Sequence, residues 1–276
     1  MSFLIALDDG HGMNTKGKQS PYILSMNRRI KENEFNRRVV DELNVLLKKC
    51  GFQTLLVAST DHDTPLSTRT NRANRAGADA YVSIHYNAYD GTFKGPNPGG
   101  IELYVYPGHL NKEAGRLARS IGAALKQGTK QNYRGIKEAD FFVLRETSMP
   151  AVLTECGFMD HPDEALLMLN PAFHKETAIE HAKGICEYFN MNYKEGKSKE
   201  ASFKGRRIES IHEGNLRFYA APSWKDEDVA GYVQKGIGFP SIIDRLSVNG
   251  SDQYKVKNSK GSVFYITAHE KYVTVK

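Results

Sequence analysis

Through its first 190 residues the chain alternates short apolar runs with longer stretches of helical period, and few folds accept that alternation. Residues 3–8, 53–58, 80–85, 101–106, 141–144 and 151–155 are apolar or alternate every second residue, as strands do. Between them, residues 29–49, 66–76, 112–127 and 172–189 carry apolar side chains at the three-to-four spacing of a helix with one buried face. Strand and helix in turn predict an α/β domain, a mainly parallel sheet covered by helices. In such sheets, binding sites form at the carboxyl ends of the strands.

The character changes after residue 190. Lys194-Glu195-Gly196-Lys197-Ser198-Lys199-Glu200 contains no apolar residue and reads as a flexible charged linker. Beyond it, residues 216–220, 229–234, 242–246, 254–257, 263–267 and 272–275 are short segments rich in Tyr, Phe, Val and Ile. Pro222, Gly236-Ile237-Gly238, Pro240 and Asn249-Gly250 interrupt them. About six strands at such close spacing predict a small all-β barrel. The expected division is an α/β domain at 1–192, a linker at 193–206 and a second domain at 207–276.

The net charge of +6 is uneven: from Tyr193 onward there are 15 Lys and Arg against 10 Asp and Glu, leaving 23 against 22 before it. A basic tail attracts polyanions without saying which. No recognition helix, RNP motif or Cys/His finger points to nucleic acid, so none is expected as a partner. There is no run of about 18 apolar residues to insert into a membrane. The opening Met1-Ser2-Phe3-Leu4-Ile5-Ala6-Leu7-Asp8 lacks the basic start of a signal peptide and reaches an acid early, so it reads as a first strand of a protein made in the cytoplasm. Cys50, Cys156 and Cys186 are odd in number and lack CxxC spacing; they read as small buried hydrophobes.

Chemistry concentrates where strand-like runs end. His11 lies in Asp8-Asp9-Gly10-His11-Gly12, where flanking glycines let the backbone turn sharply and expose the imidazole. His85 ends Tyr81-Val82-Ser83-Ile84-His85, and period-two alternation puts Ser83, His85 and Asn87 on one side. Asn87 is a candidate to hold substrate or orient a ligand; a turn-forming asparagine reads equally well. On the helix over 29–49, Glu32 points to the middle of the apolar face made by Phe35, Val39, Leu43 and Leu46, whereas Glu34 points to solvent within reach of Arg38. A carboxylate on an apolar face needs a cation, and a metal supplies one. Two histidines and a carboxylate suit a catalytic zinc ion, which takes three protein ligands and keeps a position open. Glu155 follows the apolar Pro150-Ala151-Val152-Leu153-Thr154 and is the candidate for proton transfer, with a buried ion pair to Arg145 as the bland alternative. Arg69 and Arg72 look like a solvated helix face, with packing near the site as the alternative for Arg69, and His62, His109, His161, His174, His181, His212 and His269 are expected to be exposed.

Taken together, Leu7-Asp8-Asp9-Gly10-His11-Gly12, Lys31-Glu32-Asn33-Glu34-Phe35-Asn36, Ser83-Ile84-His85-Tyr86-Asn87-Ala88, Arg134-Gly135-Ile136 and Leu153-Thr154-Glu155-Cys156-Gly157-Phe158 resemble the zinc-dependent N-acetylmuramoyl-L-alanine amidases often called amidase 3. The resemblance runs from Phe3 to about Phe189. It implies one zinc ion on His11, Glu32 and His85, a catalytic Glu155, and as substrate the amide between the lactyl group of N-acetylmuramic acid and L-alanine in peptidoglycan. Asp9 stands where Pro or Ala is common in that family. From about Arg207, Leu216-Arg217-Phe218-Tyr219, Pro222-Ser223-Trp224 and Gly236-Ile237-Gly238-Phe239 resemble bacterial SH3-like cell-wall-binding modules, in which Trp224 and Phe239 would either stack on wall ligands or pack the core. Catalytic head, charged linker and basic tail together resemble a phage or prophage endolysin, which reaches the wall once the membrane is permeabilised. Two rival readings stay open: a zinc peptidase cutting within the stem peptide, and a wall-binding protein with a purely structural metal.

Overall fold

The computed structural model describes residues 2–194, 203–248 and 251–276. The chain divides into two units at Lys194/Glu195. In the first, strands β1 (Leu4–Asp9), β2 (Gln53–Leu56), β3 (Ala80–Asn87), β4 (Ile101–Val105), β5 (Tyr133–Glu138) and β6 (Ala151–Phe158) form one sheet in the order β2-β1-β3-β6-β4-β5. All neighbours run parallel except β4 and β6. The expected mainly parallel α/β sheet is present.

Alternation along the strands sorts side chains onto two faces. Ile5 and Leu7 of β1, with Val82 and Ile84 of β3, join a core with helices α1 (Glu32–Cys50), α3 (Glu113–Gly128) and α6 (Pro171–Tyr188). Ala6, Tyr81, Ala151 and Leu153 face the other way, against Ala73 of α2 (Leu66–Ala76) and Val143 and Leu144 of α4 (Phe142–Arg145). A short helix α5 (Pro162–Leu167) follows β6. Because side chains repeat every two residues, His85 shares the α2/α4 face with Tyr81, and Glu155 shares it with Leu153.

Besides the short helix α5, two elements of this unit depart from expectation. Residues 141–144, read as a strand, are helical, with Leu144 N and Arg145 N donating back to the Phe141 carbonyl. Four apolar residues are too few for periodicity to separate the two forms. Strand β5 was not expected, because a half-buried edge strand reading Tyr-Arg-Gly-Ile-Lys-Glu shows no apolar alternation. Among the described residues no helix is long and apolar enough to cross a membrane.

The second unit holds two antiparallel sheets. One has the order β11-β12-β13-β8-β9, built from β8 (Leu216–Tyr219), β9 (Val229–Val233), β11 (Ser241–Val248), β12 (Ser251–Lys257) and β13 (Val263–Thr267); the other pairs β7 (Ile208–Ser210) with β10 (Gly238–Phe239) and β14 (Val273–Val275). Phe203, within the stretch expected as linker, is packed in this unit's core with Ile208, Ile242 and Tyr254. Most of the charged linker sequence, 195–200, lies outside the described residues. Cys50, Cys156 and Cys186 are free and buried.

Candidate metal centre and active site

Two strand ends and one helix start bring the three predicted metal ligands together. His11 follows β1, His85 lies near the end of β3, and Glu32 opens α1. One donor atom from each of the three lies within 4.8 Å of the others. Glu32 Oε2 is 3.3 Å from His11 Nε2, and Oε1 is 3.0 Å from His85 Nδ1. The two imidazoles meet edge to face at 4.9 Å.

The loop Gly10-His11-Gly12 works differently from the simple expectation. His11 itself takes the left-handed conformation, φ +64°, which costs a residue with a Cβ on the order of 1–2 kcal/mol. The glycines are needed for proximity: a Cβ on Gly10 would stand 2.2 Å from His85 Cε1, and one on Gly12 would stand 2.5 Å from Asp63 N. His11 is held by its carbonyl, which accepts from Arg69 Nη2 at 2.9 Å and from Asn33 Nδ2 at 3.3 Å.

Glu32 is buried, as the apolar-face argument requires. Its Oε1 also accepts from Tyr86 N at 3.1 Å and Asn36 Nδ2 at 3.2 Å. Burial alone would push its carboxyl up, but the hydrogen bond from His85 and the charges of His85 and His11 outweigh it and hold it at about 2. Glu34 forms the capping box with Lys31 N and a bidentate pair with Arg28, not with Arg38. Burial pushes the His11 imidazole down to about 4, so it is a neutral donor at neutral pH. Two imidazoles and an ionised carboxylate, buried and converging, fit a divalent metal: the donor types are those of mononuclear zinc sites.

Glu155 lies directly across from His85 in the β3–β6 register. It makes no pair with Arg145, which bonds Asp140 and Glu146 instead. Its Oε2 is enclosed with no hydrogen-bond partner among the described residues. Desolvation is the main force raising its carboxyl, to about 8, with the nearby Glu32 and Glu102 charges adding to it. An acid poised between protonation states suits proton transfer. Asn87 Oδ1 accepts from Ala88 N at 2.8 Å and its Nδ2 donates to Glu102 Oε2 at 3.3 Å, at the wall of a cavity.

Several supporting residues escaped the sequence reading. Arg69 is not solvated: it is 1% exposed, bound to Asp8 Oδ1 at 2.6 Å, to the Thr64 carbonyl at 2.8 Å and to Asp63 at 3.0 Å. Asp8 Oδ2 accepts from Tyr81 and Ser83 hydroxyls. The available signal was Asp8 itself, a carboxylate ending a buried strand and so in need of a cation. His174 and His181 are buried as well, each bonded to a carbonyl of its own neighbourhood. In the second unit, Phe239 is buried against Phe218 and Phe264 and leaves no face for a wall ligand, so core packing is its role. Trp224 is half-buried, edge-on to Tyr219, with Nε1 donating to the Val248 carbonyl.

Two imidazoles, a buried carboxylate and a second buried acid gather at the carboxyl ends of a mainly parallel sheet, a donor set of the kind that hydrolases use to hold a divalent metal. The comparisons narrow it. The N-acetylmuramoyl-L-alanine amidase family matches residues 5–187, and the chain belongs to that family. It is 34% identical to the endolysin of Bacillus phage SPP1 over 100% of this chain and 99% of that one. It is 34% identical to the N-acetylmuramoyl-L-alanine amidase CwlM of Bacillus licheniformis over 68% of this chain and 69% of that one. The crystal structure of an N-acetylmuramoyl-L-alanine amidase from Clostridium difficile 630 superposes with TM-score 0.61 at 32% identity, covering 68% of this chain and 97% of that one.

Proposed function

We propose that the chain is a zinc-dependent peptidoglycan hydrolase of the endolysin type, cutting the amide between N-acetylmuramic acid and L-alanine. The observation that carries this is the convergence of His11, Glu32 and His85 beside the partnerless Glu155 Oε2. When bound, a zinc ion supplies Lewis-acid polarisation of the scissile carbonyl and acidifies an attacking water. His11, Glu32 and His85 would hold it, and the Tyr86 and Asn36 donors on Glu32 fix the carboxylate's orientation. Glu155, raised by burial, takes the proton from the water and returns it to the leaving alanine nitrogen, work worth about 10²–10⁴-fold.

The second unit, from about residue 207, is proposed as an SH3-like wall-binding barrel, with the half-buried Trp224 as a ligand contact and the basic tail adding attraction to an anionic wall. The end-to-end similarity to a phage endolysin supports this two-unit layout and an enzyme that acts on the wall after the membrane is permeabilised. Digestion of purified walls tests the reading. New alanine amino termini are expected; new amino termini internal to the stem peptide would replace it with a peptidase, and wall binding without release of any ends would replace it with a non-catalytic role.

A further inference from the structure

A transverse row crosses the sheet next to the metal centre. His85 on β3, Glu155 on β6 and Glu102 on β4 are register partners, strand to strand. Glu102 is buried and fully engaged. Its Oε1 accepts from Arg134 Nε and Lys137 Nζ, both on β5. Its Oε2 accepts from Tyr104 OH at 2.6 Å and Asn87 Nδ2 at 3.3 Å. Two cations therefore share one carboxylate, which leaves a surplus positive charge beside the active site.

That surplus faces open space. The Arg134 side chain is 31% exposed and that of Lys137 40% exposed. Arg134 directs only Nε inward; neither Nη has a protein acceptor among the described residues. Its guanidinium lies 5.4 Å from the Phe158 ring and helps wall a cavity of about 460 Å³ with Asn87, Tyr89, Pro96 and Phe158. The cavity rim is pinned by Asp160, whose Oδ2 accepts from Tyr89 N, Asp90 N and Gly91 N at 2.6, 2.9 and 2.9 Å. Two free Nη groups in one plane match a carboxylate's two oxygens.

We propose that Arg134, assisted by Lys137 and held in place by Glu102, reads a free carboxylate on the residue that follows the alanine of the stem peptide. This rests on the amidase reading above. Spacing sets the register. Glu102 stands two strands from His85, roughly 10 Å. Two residues of extended peptide cover roughly 7 Å, and the arm of an acidic residue spans the remainder. Amidation of that carboxylate removes the charge and one acceptor oxygen, so the subsite discriminates between the two forms of wall peptide.

The test uses the full zinc-loaded chain and two soluble muropeptides, identical except that the acid after the alanine is free in one and a carboxamide in the other. The wild type is expected to favour the free acid about tenfold in kcat/KM. Arg134→Gln is expected to bring that ratio to about one, and Lys137→Gln, which keeps the Arg134–Glu102 pair, to lower it part of the way. A wild-type ratio near one overturns the proposal while leaving the amidase intact, as does a ratio unchanged in Lys137→Gln should Arg134→Gln fail to fold. Failure of the amidase reading looks different: neither muropeptide is cut at the lactyl amide.

Discussion

Replacing Arg69 by Met tests how the histidine loop is held. Arg69 and Asp8 are each 1% exposed, and the guanidinium also bonds the carbonyls of Thr64 and His11. Removing one partner of a buried ion pair costs about 3–5 kcal/mol, because the other charge is left behind. The two orphaned carbonyls each add about 1 kcal/mol. The expected loss is about 5–7 kcal/mol, and a unit of this size loses about 2–4 °C in Tm for each kcal/mol, giving a fall of roughly 10–28 °C. Zinc affinity should fall with it, since His11 keeps its left-handed backbone partly through Arg69 on its carbonyl. Adding Asp8→Asn removes the stranded charge, so the double variant should recover about 2 kcal/mol relative to the sum of the singles. Denaturant unfolding and calorimetry read all of this. A loss under about 1 kcal/mol, or strict additivity in the double variant, would refute the argument.

Other outcomes follow from the same geometry. Glu155→Gln keeps the shape of a residue whose Oε2 bonds nothing among the described residues, so wall lysis should drop about 10³-fold with zinc content unchanged; retained lysis would remove Glu155 from the chemistry. Gly10→Ala should weaken zinc about 10–100-fold in chelator competition, because the new methyl occupies the space of the His85 ring. His181 is fully buried between the Thr177 carbonyl and the Thr154 hydroxyl, and burial holds its imidazole down at about 4 against an ordinary 6.5. The unfolded chain therefore protonates first as pH falls, and stability is lost from pH 6.5 downward, about 3 kcal/mol by pH 4. His181→Gln should flatten that slope in unfolding measured across this range, and an unchanged slope would assign the acid sensitivity elsewhere.

How far the sequence could be read depended on whether a residue's partner was near it in the chain. The helix Leu66–Ala76 was legible to its ends because Pro65 and Gly77 punctuate it. Glu32 was legible because its apolar neighbours are on its own helix. Arg69 was legible only as an alternative, a packing residue near the site, since its partner Asp8 is 61 positions away and its own helix is mostly polar. The Glu102 cluster gathers Asn87 from β3 and Arg134 and Lys137 from β5, and no local pattern marks such a gathering. His174 and His181 looked exposed because they lie among polar letters, but α6 is buried over much of its circumference. Phe239 left two readings open, because an aromatic between Gly and Pro in a loop-like stretch carries no period to say whether it faces solvent or core; it packs the core.

The whole proposal depends on where a metal settles. Crystals of the zinc-loaded chain, measured on both sides of the zinc absorption edge, should show a single anomalous peak about 2.0–2.2 Å from an imidazole nitrogen of His11, an imidazole nitrogen of His85 and a carboxylate oxygen of Glu32. A peak held by other side chains, or none at these three, would contradict it.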